Sequence, residues 1–272
     1  MNGKDIAKGI REKNIGSQDK RALIVEGKDD VSALTILFNR YYSDWEQNWV
    51  IEEAGSKSNV QTALTEDPSW LGIVDRDEWG SDLIQQKADE QSNLIPLPRF
   101  CLENYLINPD ELWPAIPATQ QQKVQNGQQE FAEAILEGLS KYVRHGVLWK
   151  VVTPLWSGLR SLGFKDALAA YNSIDTAQDD DAIKKHLYDW NILLDPKKIF
   201  DDFENALTEA NSLEIADQLK TCVHGKVFWQ GSVNPAMNSF FGQMSEKNRK
   251  NALWKALPMP DDLSFLVDRM NQ

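Results

Sequence analysis

Four acidic residues in the first third of the sequence stand directly after apolar runs or close behind them. Glu26 ends one such run, and Asp30 lies one helical turn past it. Asp75 ends a later run, and Asp77 follows two positions on. Residues two apart in an extended stretch face the same side, so the carboxylates of Asp75 and Asp77 are predicted to point together.

Carboxylates that share one place repel one another strongly unless a cation neutralises them. Mg²⁺ prefers hard oxygen ligands and keeps several of its waters. Such an ion holds a phosphate, stabilises developing charge and activates water. The four acids therefore predict a Mg²⁺ centre, for which Mn²⁺ is a substitute, and they indicate chemistry on phosphate esters.

An α/β scaffold would bring these acids together. Compact apolar or β-branched runs predict strands at 21–25, 49–51, 70–74 and 93–97. Because they alternate with helical patterns, a mainly parallel sheet flanked by helices is expected. The prolines of the fourth run favour an edge strand. In such a sheet, functional residues gather at the carboxyl ends of the strands.

Two helices are predicted between the first three strands. Asp29 and Asp30 suit the beginning of the first one, since acidic side chains stabilise a helix N-terminus. Ser58 is predicted to cap the second, and Asp67 followed by Pro68 is predicted to end it.

The chain of 272 residues has room for one large domain or two modest ones. Residues 1–20 are polar and charged, which predicts a leading helix or arm. The alternation of strands and helices covers 21–108 and predicts an α/β domain. From 109 to 272 the apolar spacing is mostly helical, which predicts a helical C-terminal region.

Three segments resemble a known family. LIVEGKDD at 23–30 resembles the strand and Glu-Gly motif of TOPRIM proteins, and GIVDRD at 72–77 resembles their DxD motif. FCLENYL at 100–106 further resembles a TOPRIM subgroup associated with OLD-type ATPases in bacterial phage defence, which includes the nuclease subunit of the PARIS system. The resemblance implies a TOPRIM-like, Rossmann-like fold over 21–108.

The resemblance also implies residue roles. It assigns Glu26 as a general acid/base or metal ligand, and the DxD acids Asp75 and Asp77 as Mg²⁺ ligands. Some TOPRIM enzymes carry a third carboxylate in this motif, but here Glu78 and Trp79 follow. That departure favours an OLD-like centre over a topoisomerase-like one.

OLD-type nucleases add further groups to the centre. Their acid four residues after the Glu corresponds to Asp30, and their acid after the DxD strand corresponds to Glu103. Their distal lysine corresponds to Lys226 in the sequence VHGK, which is assigned a catalytic role by this resemblance. Taken alone, Glu103 also reads as a helix-start acid, and Lys226 as a surface lysine.

The functional hypothesis is a Mg²⁺-dependent nuclease that cuts DNA or tRNA as the effector of a bacterial anti-phage defence system. The alternative is a non-catalytic regulatory or sensor subunit of an ATPase-containing complex. The sequence contains no GxxxxGK[ST] motif, so an AAA or ABC-type ATPase would be a separate protein. A phosphatase with a nucleophilic Asp is disfavoured, because the DxD motif follows the third strand.

The net charge of −12 argues against a generic nucleic-acid coat protein, which would present a basic surface. Local contacts with nucleic acid are predicted at Lys28, Arg76, Arg144 and Lys150. For the last two, a helix face whose long side chains lie along apolar surface is an equally good explanation.

The partners and the compartment follow from composition. Tryptophans in the helical region suit an interface with the ATPase or with a second copy of this chain, although a helical core would also use them. Cys101 and Cys222 have no metal or disulfide spacing, which predicts a reducing compartment. With no secretory signal and no apolar run near the roughly 20 residues of a membrane span, a soluble cytoplasmic protein is expected.

Overall fold

The computed structural model describes residues 3–13, 20–162 and 179–271. All strands of the described residues lie in one parallel sheet, in the order β2-β1-β3-β4. These strands are β1 (Arg21–Val25), β2 (Trp49–Glu53), β3 (Leu71–Val74) and β4 (Leu94–Pro96). The predicted α/β fold, with a parallel sheet flanked by helices, is confirmed, and the proline-containing strand lies at an edge.

Helices cover both faces of the sheet and make up most of the rest of the described chain. In chain order they are α1 (Gly3–Lys13), α2 (Lys28–Tyr41), α3 (Trp45–Asn48), α4 (Lys57–Glu66), α5 (Ser81–Glu90), α6 (Pro109–Leu112), α7 (Ala118–Gln121), α8 (Gly127–Leu136), α9 (Leu139–Ser161), α10 (Asp180–Leu193), α11 (Pro196–Ser212), α12 (Ile215–Asp217), α13 (Gly225–Phe228), α14 (Asn234–Phe241), α15 (Glu246–Ala256) and α16 (Phe265–Asn271).

Alternate residues of β1 enter two different cores. Ala22 and Ile24 pack with α1 and α4 on one face of the sheet. Leu23 and Val25 pack with α2 and with the helical region on the other face. The period of two along a strand therefore buries both faces of β1, as expected for a strand inside a parallel sheet.

The start of α4 differs from the sequence prediction. Ser56, not Ser58, is the N-cap, and its hydroxyl accepts a hydrogen bond from the backbone N–H of Asn59 at 3.3 Å. Gly55, with φ at +80°, supplies the preceding turn, a conformation that suits glycine. The chain consequently enters the helix two residues earlier, and Lys57 occupies the first turn.

A buried arginine joins the segment after β4 to the C-terminal part of the chain. Arg99 is buried and pairs with Glu111 at 2.6 Å and with Asp262 at 2.9 Å. Its guanidinium also lies over the ring of Tyr105. The two carboxylates and the ring thus offset the cost of removing water from a guanidinium that stays charged at all relevant pH values.

Along the described ranges, no helix combines the length and the apolar character that a membrane crossing requires.

Candidate metal centre

Three of the predicted metal ligands meet where β1 and β3 end. Glu26 follows β1, and Asp75 follows β3, which is paired directly with β1. Glu26, Asp75 and Asp77 each offer a carboxylate oxygen, and these oxygens all lie within 4.8 Å of one another. The backbone N–H of Asp75 donates to Oε1 of Glu26 at 2.8 Å, which fixes the position of that carboxylate.

A turn, rather than an extended strand, brings Asp77 to this group. Asp77 has φ at 48°, in the left-handed region. Its N–H donates to the carbonyl of Phe100 at 2.7 Å, and the N–H of Trp79 donates to the carbonyl of Arg76 at 2.9 Å. The prediction that alternation along an extended backbone aligns the DxD acids was therefore wrong in its geometry.

Asp30 and Glu103 lie beside this group but outside it. Oδ2 of Asp30 accepts a hydrogen bond from the N–H of Gly27 at 2.9 Å. Glu103 is buried, with Oε1 at 3.3 Å from Nζ of Lys250, while Oε2 has no hydrogen-bond partner among the described residues. Both acids line a cavity of about 430 Å³, which Glu26 and Lys226 also line.

Three lysines each pair with a different acid, two of them with members of the cluster and one with the neighbouring Glu103. Nζ of Lys226 lies 3.1 Å from Oδ2 of Asp75. Nζ of Lys57 lies 3.1 Å from Oδ2 of Asp77. Lys250, which pairs with Glu103, completes the set. Sequence analysis missed Lys57 and Lys250. Lys57 had one usable signal, its place just past the carboxyl end of β2, whereas Lys250 had none.

Close packing holds Lys226 at the centre. A side-chain carbon on Gly225 would come within 2.9 Å of Sγ of Cys101 and closer still to Oδ1 of Asn104. The amide of Asn104 donates to the backbone carbonyls of Leu219 and Val223, at 2.6 and 2.9 Å. A glycine and a buried amide thus dock the start of α13 against the segment after β4.

Burial and mutual repulsion favour protonation of the acids. Burial raises the pKa of Glu26, although Lys57 and the N–H of Asp75 oppose the shift. Burial raises the pKa of Asp75 well above its ordinary value, against the charge of Lys226. Burial also raises the pKa of Asp30, to about 6. A divalent cation would relieve this repulsion, since an opposite charge favours the ionised carboxylates.

The charge of Lys226 is reinforced by the same surroundings. Burial by itself would lower its pKa, but the carboxylates of Asp75 and Glu103 outweigh this effect and raise the pKa. Lys226 therefore stays a cation, and its side chain is 49% exposed. A charged, half-exposed ammonium beside the acids is suitably placed for an incoming anion.

Two of the predicted nucleic-acid contacts lie close to the acids. Lys28 is 85% exposed at its side chain and lies 3.7 Å from Glu53 at the rim of the cavity. Arg76 instead donates to the carbonyls of Trp79 and Pro98, and to the hydroxyl of Ser81. Its guanidinium holds the turn that carries Asp77.

The other two predicted contacts pack on aromatic rings. The guanidinium of the exposed Arg144 lies 4.7 Å from the ring centroid of Phe203. Nζ of Lys150 lies 5.5 Å from that of Phe100, and burial lowers the pKa of Lys150. Each of these two side chains of α9 thus places its charged group against an aromatic ring.

The donor set fits a hard divalent cation. The three clustered ligands are all carboxylates, the ligand type that Mg²⁺ prefers. Neither a scan against protein-family models nor a search of curated proteins matches this chain.

Proposed function

We propose that this chain is a Mg²⁺-dependent nuclease of the TOPRIM, OLD-like type, which cleaves phosphodiester bonds in DNA or tRNA. One observation carries the proposal: the carboxylate oxygens of Glu26, Asp75 and Asp77 lie within 4.8 Å of one another. They do so at the carboxyl ends of adjacent parallel strands, where α/β proteins bind ligands. The defence role is proposed from the sequence resemblance alone.

The side chains of the centre divide the chemistry among them. Held by Glu26, Asp75 and Asp77, Mg²⁺ or Mn²⁺ would supply Lewis-acid stabilisation of a phosphodiester. Lys226 provides a positive charge for a phosphate oxygen. Burial raises the pKa of Glu26, and a carboxyl group with a raised pKa can hold a proton for transfer in catalysis. Glu103 extends the acidic lining of the cavity.

A partner surface is the second part of the proposal. Trp229 and Trp254 fill the core. Trp149 and Trp156 are 41% and 57% exposed, and Tyr188 of α10 is 65% exposed. Exposed aromatic side chains are enriched at interfaces, and we propose that this part of the helical region contacts a separate AAA or ABC-type ATPase or a second copy of this chain.

The test of nuclease activity is Glu26→Gln. Gln retains an oxygen that can accept the hydrogen bond from Asp75, so the fold should survive. Cleavage of plasmid, linear DNA or total tRNA in Mg²⁺ or Mn²⁺ should fall by roughly a hundredfold or more, as for other acid/base groups. Glu66→Gln, which removes an acid that pairs with Lys4 on the surface, is the matched control.

Two results would contradict the proposal. A Gln variant that cuts as fast as the wild type would remove Glu26 from the chemistry. A wild-type protein that cuts nothing alone or with the ATPase, and whose toxicity in cells equals that of Glu26→Gln, would favour the regulatory-subunit alternative. Loss of toxicity in Glu26→Gln would instead support a nuclease held in check.

A further inference from the structure

Lys57 approaches the centre from the strand that carries none of its acids. It occupies the first turn of α4, directly after the turn that follows β2. β2 is paired with β1 on the side away from β3. Lys57 and Lys226 therefore belong to separate parts of the chain, and each places a positive charge beside the acid cluster.

The ammonium group of Lys57 is held by one carboxylate and one ring. Nζ lies 3.1 Å from Oδ2 of Asp77 and 4.4 Å from the ring centroid of Trp79. The side chain is only 16% exposed. Nζ is shielded from solvent and makes no well-directed hydrogen bond to any residue in the described ranges. A buried ammonium with so few acceptors is incompletely satisfied.

The charge of Lys57 also acts on a second acid of the cluster. Among the charged groups that affect Glu26, Lys57 has the largest effect, and it opposes the rise in the pKa of Glu26 that burial causes. Lys57 is thus a cation that compensates both Glu26 and Asp77. These two acids are members of the group that would bind a divalent ion.

The other two lysines are placed differently. Lys250 is held by two acids, Glu103 at 3.3 Å and Glu246 at 2.9 Å, and is therefore fixed on both sides. Lys226 is about half exposed and pairs with Asp75, so it can reach an anion without first being released. Lys57 combines a buried ammonium with one carboxylate partner, and that partner is a candidate metal ligand.

We infer that Lys57 is an exchangeable counter-ion of the metal centre and a phosphate-contacting residue. Without metal, its ammonium neutralises Asp77. When a divalent cation binds Asp77, the two like charges repel, and the ammonium moves to a phosphate oxygen of the nucleic acid. The ring of Trp79 contacts the ammonium beside the centre through a cation–π interaction. The inference rests on the proposed function, of which it specifies one substrate contact.

The exchange predicts opposite changes in two measurements on Lys57→Gln. Calorimetric titration with Mn²⁺ alone should show affinity increased by roughly fivefold or more, because a positive charge that competes with Mn²⁺ for Asp77 has been removed. At saturating Mg²⁺, kcat/KM for cleavage should instead fall by roughly tenfold or more, because a contact with the phosphate is lost.

Two further variants separate charge from structure. Lys57→Arg keeps the positive charge, so its Mn²⁺ affinity should stay near that of the wild type, and it should recover part of the lost cleavage. Lys8→Gln removes an exposed lysine that pairs with Glu12 on α1, and it should change neither quantity. A thermal melt of each variant without metal establishes that the fold is retained.

Each alternative role gives a different pattern. Tighter Mn²⁺ binding with unchanged cleavage in Lys57→Gln would make Lys57 a structural counter-ion and overturn the inference. Weaker cleavage with unchanged Mn²⁺ affinity would make it a fixed phosphate ligand and would also overturn it. A wild-type protein that binds no Mn²⁺, or cleaves none of the substrates under any condition, overturns the proposed function and the inference together.

Discussion

Asp30→Asn should stabilise the metal-free protein. Burial raises the pKa of Asp30 from 3.8 to about 6, despite the hydrogen bond from Gly27 and the charge of Lys226. Each pKa unit corresponds to about 1.36 kcal/mol, so the ionised carboxylate disfavours folding by about 3 kcal/mol above pH 6. Asn keeps an oxygen for the N–H of Gly27 and carries no charge to bury, so the variant should gain up to about 3 kcal/mol.

The sign of the pH dependence follows from proton linkage. The folded state binds the Asp30 proton more tightly than the unfolded state, so this group lowers the free energy of unfolding as the pH rises from about 4 to about 6. The advantage of Asp30→Asn should therefore be small at pH 4 and reach its full size above pH 6. Urea unfolding followed by tryptophan fluorescence in EDTA measures both quantities.

Asp29→Asn is the matched control, because it removes the same charge from the exposed neighbour on the first turn of α2. It should show no comparable gain. An Asp30→Asn variant that is no more stable than the wild type at pH 7.5, or whose advantage does not change with pH, would refute the argument from burial. Saturating Mg²⁺ should narrow the difference, since the cation compensates the carboxylate in the wild type.

Two other substitutions test the centre and the scaffold. Asp75→Asn should weaken Mn²⁺ or Mg²⁺ binding in calorimetry by about tenfold, or roughly 1.4 kcal/mol; affinity equal to that of an Asp268→Asn surface control would rule out Asp75 as a ligand. Arg99→Ala should lower the free energy of urea unfolding by about 3 kcal/mol, because it leaves Glu111 and Asp262 without their buried partner. If Arg99→Ala lowers the free energy of unfolding no more than the exposed Arg160→Ala does, the ion pairs of Arg99 do not hold the C-terminal part in place.

Local patterns were sufficient for the sheet. β1 and β3 are short apolar runs, so the pattern predicts their type and, to within one residue, their limits. The parallel order then follows from the helices between the strands. The capping serine of α4 could not be chosen in this way, because Ser56 and Ser58 have the same chemistry, and the backbone turn at Gly55 decides between them.

Two of the clustered carboxylates were predictable from their places at strand ends. Glu26 and Asp75 follow buried strands, and parallel pairing brings such ends to one edge of the sheet. The spacing of two residues predicted that Asp77 would join the same group, although a turn and not an extended backbone brings it there. These positions could be predicted without knowing the whole fold, because each acid lies within a few residues of a strand end and parallel strand ends meet at one edge of the sheet.

The resemblance pointed to Lys226, but folding sets which cation faces which acid. Lys226 is 151 residues from Asp75 along the chain, and Lys250 is 147 residues from Glu103. Such pairs depend on how α13 and α15 dock against the segment after β4, which in turn depends on close contacts such as Gly225 on Asn104. An ion pair between residues far apart in the chain produces no periodic pattern in the sequence. The pairing of lysines with the acids of the centre therefore follows only from the folded structure.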